Sequence, residues 1–154
     1  MKILNLGSLN IDRVYTVDHF AQAGETISAD RMDVFCGGKG LNQSIALARA
    51  GMEVWHAGAV GQDGKELLDL LREVNARTDL IQEVNEVSGH AIIQLTREGE
   101  NSIIVFPGSN GCVSRDYIDS VLAQCHAKDW LLLQNEVSNL AYAMSKAKEK
   151  GMTI

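Results

Sequence analysis

Cys36-Gly-Gly-Lys-Gly-Leu-Asn-Gln43 sets three glycines, a lysine and an amide between a strand-like run and an amphipathic helical one. Glycine adopts backbone angles that other residues avoid and lets a backbone approach its neighbours closely. The first N–H groups of the following helix have no partner inside that helix, which favours an oxygen-rich or anionic group there. The stretch therefore reads as a place where backbone meets a small polar ligand. Taken alone it also reads as a plain turn from strand into helix. Lys39 and Asn42, which a plain turn does not require, favour the ligand reading.

Two phosphate-binding motifs fail on spacing. A P-loop needs a glycine five residues before Gly38 and a hydroxyl residue directly after the lysine, but Asp33 and Gly40 stand there. A dinucleotide fingerprint counted from Gly38 needs a third glycine where Gln43 stands.

Working outward, Lys2-Ile-Leu-Asn-Leu-Gly7 is an apolar run ending in glycine, the pattern of a buried first strand. Residues 14–20 and 26–35 alternate around Gly24 as a half-exposed hairpin. Leu41, Ile45, Ala48 and Met52 recur at helical spacing with Gly51 as a stop, and residues 53–59 then read as a buried strand. Leu67, Leu70, Leu71 and Val74 mark a second helix, and residues 87–96 and 102–106 a second hairpin across Glu98-Gly-Glu-Asn101. Ser114 caps a third helix through Leu122, Trp130-Leu-Leu-Leu133 is a further buried strand, and Val137, Leu140, Ala141 and Met144 line a last helix. Met152-Thr-Ile154 opens another strand with no helix after it. The expectation is an α/β fold, a parallel sheet flanked by helices with a small β lid, in a chain that is a fragment lacking the second half of its sheet.

A chain of 154 residues fits one domain with a sizeable core. Its net charge of −6 is scattered without a basic block, which argues against nucleic acid or an anionic membrane as the main partner. No apolar run is long enough to span a bilayer and no signal peptide is visible, so a cytoplasmic location is expected. Cys36, Cys112 and Cys125 follow no metal or redox spacing and are expected reduced and half-buried. His19, His56, His90 and His126 likewise suggest no metal face and no nucleophile's partner, and read as surface or satisfied core histidines. No metal site is expected, and Trp55 and Trp130 read as core.

In open α/β sheets ligands bind beyond the carboxyl ends of the strands. That rule selects Asn10 and Asp12 after the first strand, Lys39 and Asn42 in the glycine stretch, and Gln134, Asn135 and Glu136 after Leu133. Amides and carboxylates so placed can pair with adjacent hydroxyls, so a polyol or sugar is the fitting chemical class. Singly, Asn10 and Asp12 also fit turn chemistry, and Glu136 fits a carboxylate facing a helix dipole.

Gly7-Ser-Leu-Asn-Ile-Asp12, Gly24-Glu-Thr26, Gly37-Gly-Lys-Gly-Leu-Asn-Gln43, Gly99-Glu-Asn101, Pro107-Gly-Ser-Asn110 and Leu133-Gln-Asn-Glu136 follow one another in this order. In these motifs the chain resembles the ribokinase-like (PfkB) carbohydrate kinases, along essentially its whole length. The resemblance implies an incomplete ribokinase-like fold with lid strands near residues 12–36 and 87–106, and makes residues 1–154 the amino-terminal, substrate-binding half. It implies that Asn10, Asp12, Gly38, Lys39, Gly40, Asn42 and Glu136 hold a sugar, ribose foremost, and that the lid pairs two subunits into a homodimer. It places the catalytic aspartate, which activates a primary hydroxyl for attack on ATP, outside this chain. The sites for ATP, Mg²⁺ and a monovalent cation lie mostly there too. The chain alone is then expected to be inactive. Alternatives are a non-catalytic truncated binding or dimerisation module, and the corresponding half of a kinase for another sugar or a nucleoside. Leu41 stands where the family has a small residue, which implies an altered pocket rim.

Overall fold

The computed structural model describes residues 2–154. The chain runs β1 (Ile3–Leu6), β2 (Asn10–Val17), β3 (Arg31–Gly37), α1 (Lys39–Arg49), β4 (Val54–Val60), α2 (Lys65–Glu73), β5 (Arg77–Glu83), β6 (Gly89–Thr96) and β7 (Asn101–Phe106). A 3₁₀ turn (Gly108–Cys112), α3 (Arg115–Ala123), β8 (Trp130–Leu133) and α4 (Leu140–Glu149) complete it.

The apolar first strand becomes one of the two interior strands of an all-parallel sheet of order β5-β4-β1-β8. Successive side chains of a strand point to opposite faces, and β1 serves one helical layer with each. Leu4 and Leu6 join Ile118, Val121, Leu122, Ala143 and Ala147 of α3 and α4 in one core cluster. A second cluster gathers Leu9, Leu41, Val60, Leu67 and Leu71 around α1 and α2. Ser114 caps α3, its hydroxyl accepting the Tyr117 N–H at 3.1 Å.

The two expected hairpins form and join into the expected lid, the first with strands over residues 10–17 and 31–37 instead of 14–20 and 26–35. Strand β2 pairs antiparallel with β3 and parallel with β6, and β6 antiparallel with β7, giving one second sheet of order β3-β2-β6-β7. This lid sheet stands beyond the carboxyl end of β1 because only Gly7, Ser8 and Leu9 separate β1 from β2.

Several local expectations need correction. Strand β5 (Arg77–Glu83) adds to the elements expected from the sequence. Helix α1 ends at Arg49, so Met52 lies beyond it and is exposed. Helix α4 starts at Leu140, leaving Val137 outside, and it buries Ala143 and Ala147 while Met144 faces out. Trp130 is 49% exposed at the sheet edge and is not a core residue. Trp55 is half-buried between Lys2 Nζ, 4.0 Å from its ring centroid, and Arg77 Cζ at 4.5 Å. The cysteines are unpaired, but Cys112 is exposed and Cys125 buried, leaving only Cys36 half-buried. Thr153 bridges in parallel to Trp130, as the strand pattern of residues 152–154 predicts.

Candidate functional site

Asn10 and Asp12 open β2, and the two-residue period sends both side chains to one face of the lid sheet. Their register places Asp12 beside Ala91, Ala91 beside Val105, and Ile93 beside Ile103 on the same face. Across from this face stand Gly38, Lys39 and Asn42 at the start of α1 and Glu136 after β8. Together these residues line one cleft of about 230 Å³. Its walls are of two kinds, carboxylates, amides and an ammonium from the start of β2, from α1 and from the segment after β8, and aliphatic side chains from β6 and β7. Such a cleft suits a ligand with hydroxyls along one edge and C–H groups on its face.

A second cavity of about 450 Å³ continues past Asn10, Val105 and Glu136 toward Asn110, Asn135 and Ser138. A further cavity lies apart from both, between Gln62, Asp63 and residues 84–87.

The beginning of α1 overturns one expectation. Its first N–H groups are not free for a ligand. The Lys39 N–H donates to Glu136 Oε2 at 3.1 Å, the Gly40 N–H to Ser8 Oγ at 3.2 Å, and the Leu41 N–H to the Ser8 carbonyl at 2.9 Å. The anion favoured by the helix N-terminus is thus a carboxylate of the same chain. Gly38 makes the entry possible with φ of 97°, a region open to glycine.

Glu136 is held from three directions. Ser8 Oγ donates to its Oε2 at 2.6 Å, the Lys39 N–H to the same oxygen, and Lys39 Nζ forms an ion pair with Oε1. Burial pushes its carboxyl upward, but the hydrogen bonds from Lys39 and Ser8 and the Lys39 charge outweigh this and hold it below its ordinary range. Asp12 behaves oppositely. Burial first, and the Glu136 charge second, push its carboxyl above the ordinary carboxylate range. Its oxygens lie over Gly37, where a Cβ would fall 2.0 Å from Oδ2. Among the described residues the Asp12 side chain has no ion-pair partner, so it is an acceptor available to the cleft.

Behind the glycine stretch runs a chain of buried hydrogen bonds. Gln134 Nε2 donates to Asn5 Oδ1 at 2.7 Å, Asn5 Nδ2 to Ser44 Oγ at 2.8 Å and to the Gly40 carbonyl at 2.8 Å. Ser44 Oγ lies 2.8 Å from His56 Nδ1, and His56 Nε2 lies 3.2 Å from the Gly7 carbonyl. A carbonyl only accepts, so Nε2 carries the proton and Nδ1 accepts from the serine. Burial holds the His56 pKa down to about 4, which keeps this neutral tautomer at neutral pH. His56 is therefore a satisfied core histidine that locks α1 to β1 and β4.

Of the residues selected from the sequence, Asn10, Asp12, Gly38, Lys39, Asn42 and Glu136 come together in the cleft. Gly40 does not line it. A Cβ at Gly40 would fall 2.4 Å from Ser8 N and 2.7 Å from Gly7 Cα, so this glycine serves the close packing of α1 on the β1–β2 connection. Leu41 is fully buried with Leu9 and Leu67 and does not line the cleft. Asn10 and Asp12 sit in a strand, which removes their turn-chemistry alternative. Ser8 was not singled out, although it touches both Glu136 and the helix start. Its signal is its position two residues past β1, by the same rule that selects Asn10 and Asp12.

The sequence pattern of the pfkB family carbohydrate kinases matches residues 1–153. A ribokinase of Haemophilus influenzae is 34% identical over 154 residues, covering 97% of this chain and 50% of that protein. The crystal structure of a Cryptococcus neoformans ribokinase in complex with ADP superposes with a TM-score of 0.79 at 37% identity, over 96% of this chain and 46% of that one. The structure of Arabidopsis thaliana ribokinase complexed with ribose and ATP gives a TM-score of 0.72 at 29% identity, over 96% and 51%. The chain spans about half the length of the curated relatives it matches.

Proposed function

This chain belongs to the pfkB family of carbohydrate kinases, and from that membership we propose that it is the sugar-binding half of an ATP-dependent kinase acting on a primary hydroxyl, with ribose as the sugar. The observation that carries the proposal is the convergence of Asn10, Asp12, Gly38, Lys39, Asn42 and Glu136 on one cleft beneath a lid sheet. In this reading Asp12 accepts hydrogen bonds from two neighbouring hydroxyls, while Asn10 and Asn42 supply amide groups. Lys39 and Glu136, paired to each other, form the remaining polar wall. The aliphatic lid residues cover the ring and exclude water, which competes with the sugar hydroxyl for a phosphoryl group.

The reaction's other requirements are proposed for the whole protein. ATP and Mg²⁺, with a monovalent cation, supply and activate the phosphoryl group when bound. The length of the relatives that this chain does not match is the proposed seat of their sites and of the catalytic base. Among the described residues no group of three or more His, Cys, Asp or Glu is placed to hold a metal ion, and no step is assigned to one here. A homodimer through the lid belongs to the same reading. It is supported by exposed Met32, Val34 and Phe35 on one edge strand and Ile104 and Phe106 on the other. A cytoplasmic location fits ATP use and three unpaired thiols.

Isothermal titration of the 154-residue chain with D-ribose, D-fructose, 2-deoxy-D-ribose and adenosine tests the proposal. Saturable binding with ribose strongest supports it. A folded chain that binds none of the four would refute the sugar-binding role, and preference for another ligand would reassign the acceptor.

A further inference from the structure

Asn110 lies in the 3₁₀ turn at the junction of the two sheets and is only 2% exposed. Its Oδ1 accepts the Leu9 N–H at 3.0 Å, and its Nδ2 donates to the Leu9 carbonyl at 3.3 Å and to Asn10 Oδ1 at 2.8 Å. A backbone N–H only donates and a carbonyl only accepts, so Leu9 fixes which end of the Asn110 amide is which. With Asn110 Nδ2 directed at Asn10, the Asn10 amide has to offer its oxygen inward. Its NH₂ group is left to the cleft.

The surroundings preserve this pair. A Cβ on Gly89, the register partner of Asn10, would fall 2.0 Å from Asn110 Nδ2 and 2.4 Å from Asn10 Oδ1, so only glycine leaves the two amides room. The turn itself is pinned on both sides. Ser109 N–H donates to the Val87 carbonyl at 2.8 Å, Ser109 Oγ to the Ala59 carbonyl at 2.8 Å, and the Ser138 N–H to the Asn110 carbonyl at 3.2 Å.

We propose that Asn110 is a positioning residue of the sugar site, holding Asn10 so that it presents amide protons, not a carbonyl, to the bound sugar. The proposal rests on the sugar-binding reading of the cleft. It gives the site a defined polarity. Asn10 donates and the Asp12 carboxylate accepts, so a hydroxyl, which can do both, satisfies the pair simultaneously.

Asn110→Asp keeps the shape of the side chain but replaces its donor with an acceptor, which turns the Asn10 amide around. Ribose affinity is expected to fall about tenfold to a hundredfold. In an Asn10→Ala background the same substitution should cost almost nothing more, because its effect runs through Asn10. Equal losses in both backgrounds would assign Asn110 a merely structural role and overturn the proposal.

NMR of the unsubstituted chain decides the matter if the variant does not fold. The side-chain NH₂ protons of Asn110 should exchange slowly without sugar, while those of Asn10 exchange freely and shift on ribose addition. Fast exchange at Asn110 would overturn the positioning role by itself. Protected Asn110 protons in a chain that binds no ribose would instead refute the sugar-binding reading.

Discussion

Burial and the nearby Glu136 charge both push the Asp12 carboxyl above its ordinary range. Folding therefore disfavours the ionised form, the proposed acceptor of sugar hydroxyls, relative to water. A group whose folded pKa is raised favours folding at low pH, and that contribution is lost as pH rises through the folded value. At neutral pH Asp12→Asn should consequently raise the urea midpoint while weakening ribose binding about tenfold to a hundredfold, the effect of losing a hydrogen bond to a charged group. A lowered midpoint would show that the carboxylate is a structural element after all. At Glu136 the balance is reversed. Its bonds to Lys39 and Ser8 make Ser8→Ala a substitution that should weaken ribose binding through a displaced Glu136, measurable by titration, with a smaller effect than Asp12→Asn. Asn10, Asp12 and Glu136 were legible in the sequence because each closely follows a recognisable strand. Ser8 and Asn110 were not, since their roles arise from contacts with residues a hundred or more positions away.

At the scale of elements, the glycine stretch works by enclosing its own anion. The N-terminus of α1 is satisfied by Glu136 and Ser8, and its underside is locked by the chain from Gln134 through Asn5 and Ser44 to His56. Protonating His56 would place a second donor against the Ser44 hydroxyl. The unfolded chain binds that proton near 6.5 and the folded chain only near 4. Stability is thus fully present above 6.5 and declines as pH falls toward about 4, by about 3 kcal/mol in total. Urea midpoints between pH 7 and pH 4 should show the decline, and the imidazole resonances of His56 should stay those of the neutral Nε2–H tautomer at pH 5.5. A His56 that titrates near 6.5 would contradict the locked network. Some elements were harder to read than this one. Strand β5 reads Arg-Thr-Asp-Leu-Ile-Gln-Glu, an edge strand whose polar residues mask its period. In α4 the buried face is carried by Ala143 and Ala147, whose small side chains give a weaker apolar signal than the exposed Met144.

For the whole molecule, the joining of two hairpins into one lid determines what the cleft can do. The parallel β2–β6 pairing links segments more than seventy residues apart, and no local alternation announces it. The pairing lets β2 carry the polar residues while β6 and β7 carry the aliphatic cover. Edge strands β3 and β7 also leave apolar side chains in solvent, so, if the proposed lid homodimer forms, Ile104→Lys should shift it toward monomer in sedimentation. Unchanged sedimentation would exclude the lid edge at Ile104 from the interface.

The claim that this one cleft holds the sugar is tested most directly by two-dimensional NMR of the 154-residue chain titrated with D-ribose. Saturable shifts should concentrate at Asn10, Asp12, Gly38, Lys39, Asn42 and Glu136 and, in Asp12→Asn, need about tenfold to a hundredfold more ribose to saturate. Shifts centred instead on the separate cavity between Gln62 and Val87, or no saturable shifts in a folded chain, would contradict it.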